Sequence, residues 1–121
     1  MATNFISDGD VIPWTNTTGA AVASGQVVVL GHTIGIALSA IAIGASGSVA
    51  LNGAFTVPKV PAAVFAQGEK LLWDSSAGAF DASTATAAAG DVLGGAIAWT
   101  AGSNGQTTAQ IRLTAGNAAK T

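Results

Sequence analysis

The sequence contains no cysteine and no tyrosine, and it has few charged side chains. Without cysteine the chain can form no disulfide framework, no thiol nucleophile and no zinc ribbon. Four basic and six acidic residues give a formal net charge of -2 at pH 7, and the basic residues Lys59, Lys70, Arg112 and Lys120 are scattered along the chain. Phosphate binding requires several clustered cations, so the composition argues against a nucleic-acid partner.

Small uncharged residues take the place of the charged ones. Only 8% of the residues are charged, compared with about a quarter in an average globular chain, and glycine, alanine, serine and threonine dominate. Hydroxyl, amide and backbone groups cost less to desolvate than Lys or Glu side chains. The composition therefore predicts a surface suited to being covered by another protein.

The sequence also lacks a typical membrane span and a typical signal peptide. The most apolar window, residues 27–50, is long enough to cross a bilayer, but glycine, serine, threonine and the single histidine interrupt it. No cluster of Lys or Arg and no aromatic belt flanks this window. The N-terminal residues MATNFISDGD contain two acids and no basic stretch followed by an apolar one. We therefore expect no membrane partner.

Short apolar runs between turn residues indicate an all-β fold. The runs have the alternation or the β-branched content of strands, and none keeps a helical stripe. Strands are predicted at 26–30, 34–38, 48–51, 54–57, 69–73, 79–81, 92–99 and 107–113. Asn52-Gly53 suits a type I′ turn or a bulge, so the stretch GSVALNGAFTVPK, residues 47–59, is predicted to form a hairpin.

A faint internal repeat indicates how the strands are arranged. Ser24-Gly25-Gln26 before VVVL matches Gln67-Gly68-Glu69 before KLLW. The two halves are predicted to be small meanders that pack into a compact β-barrel or sandwich of about eight short strands, because closure removes exposed edges. Residues 1–13 are expected to form an irregular N-terminal arm, and residues 14–121 a single β domain. The predicted bulky core residues are Phe55, Phe65, Trp73, Phe80 and Trp99.

No residue pattern indicates catalysis, a cofactor or a metal. His32 is the only histidine, and we expect it to be exposed in a hairpin loop. Asp8 and Asp10 lack the spacing of a calcium loop, and the other acids fall at strand ends and turns. The glycine-rich run 44–47 has neither the lysine nor the following helix of a phosphate-binding loop. We therefore expect no catalytic, cofactor-binding or metal-ligating residues and no enzyme activity.

Over essentially its whole length the chain resembles the small phage-encoded capsid cement, or decoration, proteins. The stretches that carry the resemblance are, in order, MATNFISDGDVIPW, SGQVVVLGHTIGIAL, GSVALNGAFTVPK, AQGEKLLWD, VLGGAIAW and a terminal QIRL strand. The matched positions are scaffold residues: Gly47, Asn52, Gly53, Phe55, Val57, Pro58, Lys59, Gly68, Trp73 and Asp74. A recombinase-like role, sometimes attached to this family, has no support, because the nucleotide-binding lysine and its loop are missing.

The resemblance implies a structural protein on the outer surface of a bacteriophage head. Such a protein would be made in the host bacterial cytoplasm, form a homotrimer and bind the major capsid protein, stabilising the head by bridging capsid subunits. The expected capsid or protomer interface residues are Asn4, Phe5, Ile6, Asp8, Asp10, Trp14 and Lys59. The alternative function is a carbohydrate- or host-surface-binding β module on a virion, which would use exposed aromatic side chains such as Trp14, Trp73 or Trp99.

Overall fold

Two antiparallel sheets build the protein. A computed structural model describes residues 3–4 and 6–121, and within this part of the chain there are ten strands and a 3-10 helix, Ala115–Asn117. The strands are β1 (Val11–Thr15), β2 (Val27–Leu30), β3 (Thr33–Ala37), β4 (Ser46–Ala50), β5 (Ala54–Pro58), β6 (Lys70–Asp74), β7 (Ala79–Asp81), β8 (Val92–Ala98), β9 (Thr108–Leu113) and β10 (Ala119–Lys120). The all-β prediction is confirmed. The eight predicted strands correspond to β2 to β9, whereas β1 and β10 are additional strands that the sequence patterns do not predict.

The smaller sheet has the order β1-β4-β3-β2. β2 and β3 form a hairpin around Gly31-His32, and β4 follows β3 as in a meander. β1 pairs with β4 in the register Val11↔Ala50 to Thr15↔Ser46, so it crosses the predicted boundary between arm and domain. A proline at position 13 is compatible with β1 because β1 is an edge strand, where a missing N–H need not break a ladder on both sides.

The predicted hairpin over residues 47–59 is wrong. Its two strands exist, but β4 pairs with β1 and β3, whereas β5 pairs with β9 in the other sheet. Gly53 has a φ of 115°, and its carbonyl accepts the N–H of Leu113 at 3.0 Å. Asn52-Gly53 is therefore the crossing between the sheets. An Asn-Gly pair indicates a turn, but which strands pair is decided by contacts with distant segments.

The larger sheet has the order β5-β9-β8-β6-β7, with β10 beside β8. Only β6–β7 and β8–β9 are neighbours in both sequence and space within the described strands of this sheet, so the second half is not a simple meander. The two ends of the sheet meet where Lys59 and Phe80 form a parallel bridge and the N–H of Val60 donates to the Phe80 carbonyl at 2.9 Å. The sheet is thus a half-barrel, and the smaller sheet packs against it, which confirms the predicted compact β architecture.

The main hydrophobic core lies between the two sheets. Ile34, Ile36 and Ala50 contribute to it from the smaller sheet, and Leu71 and Ile111 are among the contributors from the larger one. At Gly95 of β8 the two sheets approach each other closely, because a Cβ atom there would lie only 2.7 Å from Cγ1 of Ile34 on β3. A second, smaller cluster covers the other face of the smaller sheet and consists of Val22, Val28, Ala37, Ile41 and Val49.

Three of the five predicted bulky core residues are buried, namely Phe65, Trp73 and Phe80. Trp73 and Phe80 pack edge to face with their ring centroids 5.0 Å apart. Phe55 is half-buried and packs against the core. The prediction for Trp99 is wrong, because 51% of this residue is exposed. Ala98 points inward at the end of β8, and side chains alternate along an extended chain, so the next residue points outward.

Four similar turns precede strands β2, β6, β8 and β9. These glycine turns are residues 23–26, 66–69, 88–91 and 103–106. The third residue of each is a glycine with a φ between 84° and 95°, the left-handed conformation that a type II turn requires. The fourth residue is Gln, Glu or Asp, whose side-chain oxygen accepts the N–H of the first residue at 2.7–3.2 Å. The repeat found in the sequence is thus two of four copies.

Each glycine turn is also fixed to another strand or loop. The glycine N–H donates to a partner carbonyl at 2.7–2.8 Å, and the partners are Ala37, Ala98, Thr121 and Pro61 in chain order of the turns. In the first three turns the N–H of the same partner residue donates to the carbonyl of the fourth turn residue at 2.8–2.9 Å. This pair of hydrogen bonds fixes where the following strand begins. The fourth turn differs, because Pro61 has no N–H to return.

Candidate interaction surfaces

The described residues of the N-terminal arm are exposed. Asn4, Ile6, Asp8 and Asp10, all predicted interface residues, lie on the surface, and Ile6 is 94% exposed. Phe5, the other arm residue of that prediction, lies outside the described residues. The arm joins the fold at Asp10, whose carbonyl accepts the N–H of Leu51 at 2.8 Å. The described side chains of the arm therefore face solvent and do not pack in the core of the chain.

The exposed apolar side chains of the arm continue into β1. Val11 is 43% exposed and Ile12 37% exposed, although both are held in a regular strand by β4. Trp14, another predicted interface residue, is half-buried and packs against the smaller hydrophobic cluster. We call these three exposed residues, Ile6, Val11 and Ile12, the apolar strip; because successive side chains of a strand point to opposite faces, Val11 and Ile12 lie on opposite sides of β1. A strand edge followed by such a strip offers a partner both backbone groups and apolar area.

Asn16 fixes the end of β1 to the neighbouring loops. The residue is fully buried, and its amide nitrogen donates to the carbonyls of Ala20 and Ile41 at 2.8 and 3.1 Å. Its side-chain oxygen accepts the N–H and the hydroxyl of Thr18 at 3.0 and 2.7 Å. A buried amide with all of its groups paired stabilises one arrangement of the chain. The strand that carries the apolar strip is thus held in a defined position.

Lys59, the remaining predicted interface residue, is buried. Its ammonium group donates to the carbonyls of Val60, Pro61 and Gln106 at 2.9, 3.1 and 3.3 Å, so its three donors are all used. The bond to Gln106 occupies the place that a partner N–H fills in the other three glycine turns. The side chain of Lys59 therefore replaces the donor that Pro61 lacks.

The same lysine helps to close the larger sheet. Its ammonium group lies 5.9 Å from the centroid of the Phe65 ring, within the range of a cation–π interaction. The backbone of Lys59 forms the bridge to Phe80 at which the two ends of the sheet meet. These contacts support a structural role for Lys59 inside the chain, and its predicted role at an interface stays a prediction.

Two carboxylates attach the alanine-rich segment 82–90 to the sheet. Glu69 accepts the N–H and the hydroxyl of Ser83, and Asp91 accepts the N–H of Ala88 and both donors of Ser75. The N–H groups of Ser83 and Ala66 lower the pKa of the Glu69 carboxyl. The N–H of Ala88 is the main cause that lowers the pKa of the Asp91 carboxyl, and Ser75 adds to it. Both groups hold the segment in their ionised form.

The remaining chemistry-bearing residues do not converge. His32 lies exposed in the turn between β2 and β3, which confirms its predicted position. Among residues 3–4 and 6–121, no three His, Cys, Asp or Glu side chains are grouped so that they could hold a metal ion. The described part of the chain also contains no helix that is long and apolar enough to cross a membrane. What the surface offers is an exposed arm, an apolar strip and one exposed tryptophan.

Comparison with known proteins identifies a family for this arrangement. A family model described as phage cement protein matches residues 6–113. The matched region runs from Ile6 of the arm to the end of β9, and it includes both sheets apart from β10. No curated protein matches the chain.

Proposed function

This chain belongs to the phage cement protein family, and from that premise we propose that it decorates the outer surface of a bacteriophage head as a homotrimer and bridges neighbouring major capsid subunits. Membership of the family gives the chain a structural role in the phage capsid and a place on the virion. The outer-surface position, the trimer, the bridging and the resulting stabilisation of the head are our proposal, as is synthesis in the host bacterial cytoplasm.

The exposed arm is the observation that carries the proposal. A side chain such as Ile6, 94% exposed, gains stability only when another surface covers it, since burying apolar area is favourable by about 25 cal/mol per Å². The arm and the apolar strip are contiguous in the chain, and β1 is fixed by β4 and by Asn16. We assign Asn4, Phe5, Ile6, Asp8, Asp10 and Trp14 to this interface.

Bridging stabilises a head without any reaction. A protein that binds only the assembled capsid shifts the equilibrium towards assembly by mass action. Three copies held together present three arms to a symmetric lattice, so weak individual contacts add up to strong binding. A surface with few charges supports this role, because little charged area has to be desolvated at the contacts. We therefore propose that the protein acts by binding other subunits through its surface and that it is not an enzyme.

Deletion of residues 2–9 tests the interface. These residues precede the hydrogen bond between Asp10 and Leu51, so we expect the free energy of unfolding to change by less than about 0.5 kcal/mol. We expect binding to empty phage heads, measured by co-sedimentation, to weaken at least about tenfold, as for loss of a central anchor. A truncated protein that sediments with heads as the intact protein does would contradict the assignment of the arm.

Two single substitutions test whether binding depends on the arm or on any exposed apolar side chain. Ile6→Ser removes an exposed apolar side chain from the arm, and Val64→Ser removes a 62% exposed one from the loop before β6. We expect Ile6→Ser to weaken co-sedimentation and Val64→Ser to leave it unchanged.

The mass of the intact protein in solution, measured by light scattering, tests the trimer. For a trimer that forms without the capsid, we expect about three times the 11.7 kDa of the chain.

A further inference from the structure

The exposed Trp99 belongs to a row of outward-facing side chains on the larger sheet. Thr56 of β5 is paired directly with Gln110 of β9. Trp99 follows the last residue of β8, and its N–H donates to the Gln110 carbonyl at 2.9 Å. All three side chains are exposed, whereas the neighbouring inward residues Val57, Ala98 and Ile111 are buried. An indole, an amide and a hydroxyl thus stand side by side on three adjacent strands.

This row lies between two shallow clefts that share Thr56 and Gln110. The first cleft, with a volume of about 230 Å³, is lined by Ala54, Phe55, Thr56, Trp99 and Gln110. The second cleft, about 300 Å³, contains Thr100, Gln106 and Thr108 in addition to the shared pair. The two clefts adjoin at Thr56 and Gln110 on the outer face of β5 and β9, and we call them together the groove. The groove has an aromatic end and a hydroxyl- and amide-rich end.

The chemistry of the groove favours an uncharged, hydroxyl-rich ligand. Neither cleft is lined by a charged residue, and Arg112 lies in the next row, paired with Ala54. A phosphate or a carboxylate would find no paired cation there. A protein hot spot needs a cluster of apolar anchors that water cannot reach, and only Trp99 and the half-buried Phe55 are aromatic here. An aromatic ring beside hydroxyls and amides suits a molecule with one apolar face and polar edges.

We propose that this groove binds a neutral oligosaccharide chain. The C–H face of one sugar ring stacks on the Trp99 indole, and the indole N–H, the Gln110 amide and the Thr56 hydroxyl bond the sugar hydroxyls. The following sugar units extend into the cleft lined by Thr100, Gln106 and Thr108. The site lies on β5, β9 and the end of β8 and uses no residue of the arm, so the protein could hold a glycan while the arm binds elsewhere.

Binding of defined neutral hexasaccharides tests the proposal. The probes are cellohexaose, chitohexaose and maltohexaose, with a heparin-derived hexasaccharide as the charged counterpart, and binding is followed by calorimetry and by tryptophan fluorescence. We expect at least one neutral probe to bind at millimolar concentration or below and to shift the emission of the exposed tryptophan to shorter wavelength. Failure of every neutral probe, or binding of the heparin fragment alone, would overturn the proposal.

Substitutions locate the binding site. We expect Trp99→Ala to weaken binding at least about tenfold, Gln110→Ala to weaken it less and Trp99→Phe to retain part of it. Val64→Ala, at an exposed apolar residue elsewhere, is the matched control and should bind as the intact protein does. Should Trp99→Ala fail to fold, Gln110→Ala and Thr56→Ala together make the same test. Unchanged sugar binding in these variants would show that the groove is not a glycan site. Variants that still bind sugar but no longer co-sediment with heads would show the same.

Discussion

The two sheets manage their edges in different ways. The larger sheet is a half-barrel whose end strands meet at the bridge between Lys59 and Phe80, and three of the four glycine turns, each fixed to another strand or loop by hydrogen bonds, precede its strands. The smaller sheet keeps β1 and β2 as edge strands, and β1 leads directly into the exposed arm. We therefore expect substitutions in the larger sheet to affect mainly stability, while the outer edge of the smaller sheet is available for contact. Stability and binding should be separable by mutation.

The largest expected effect on the free energy of unfolding is for a tryptophan of the larger sheet, compared with one of the smaller sheet. Trp73 is 7% exposed and packs on Phe80 in the larger sheet, so Trp73→Ala should lower the free energy of unfolding by about 3–5 kcal/mol. Trp14 is half-buried on the smaller sheet, and Trp14→Ala should cost roughly 1 kcal/mol. Urea unfolding measures both values. Equal costs would show that the two sheets contribute equally, and the comparison would fail.

Lys59→Met should have the next largest effect. The substitution keeps the length of the side chain but leaves the carbonyls of Val60, Pro61 and Gln106 without their donor, at a cost of about 3 kcal/mol. Lys70→Met, on an exposed side chain of β6, is the control and should stay within about 0.5 kcal/mol of the unmodified protein.

The same lysine allows a sharper test of why it is buried. Pro61→Ala restores an N–H at the position where the other glycine turns have one. If the ammonium group of Lys59 replaces that N–H, Lys59→Met should cost less in the Pro61→Ala background than alone. Strictly additive costs in this double-mutant cycle would mean that the two positions are independent.

A smaller effect is expected in acid. The carboxyls of Glu69 and Asp91 have a lowered pKa in the folded protein. The stability that they contribute is complete above their unfolded pKa and is lost as the pH falls through the folded values, so the loss begins below about pH 4. Asp91→Asn should be less stable than the intact protein at pH 7, and its stability should depend less on pH in this range. An unchanged pH dependence would show that Asp91 does not hold segment 82–90 by its charge.

The sequence predicts the strands of both sheets well and their pairing less well. Alternation and turn residues locate β2 to β9, because these are local signals. The partners of β4 and β5 were wrong, since long-range packing decides whether Asn52-Gly53 closes a hairpin or crosses between sheets. β1 was missed because it lacks clear alternation and contains Pro13.

The candidate surfaces were predicted in part. The exposure of the described arm residues follows from their polar, irregular sequence, but the exposure of Trp99 depends on the phase of β8, which no local pattern fixed. The burial of Lys59 has only a partial signal in the sequence. Glycine followed by Gln, Glu or Asp occurs directly before β2, β6 and β8 and again at Gly105-Gln106 before β9, and Pro61 supplies the partner carbonyl of this fourth turn. The sequence shows the repeated turn, but only the structure shows that Pro61 is its partner and that a donor is missing there.

The most direct test of the capsid role adds the purified, intact protein to empty phage heads that lack it. We expect it to sediment with the heads to saturation, in multiples of three copies per bound position, and to let decorated heads survive an osmotic shock that breaks bare ones. Protein that stays in the supernatant, or heads that break equally with and without it, would contradict the account.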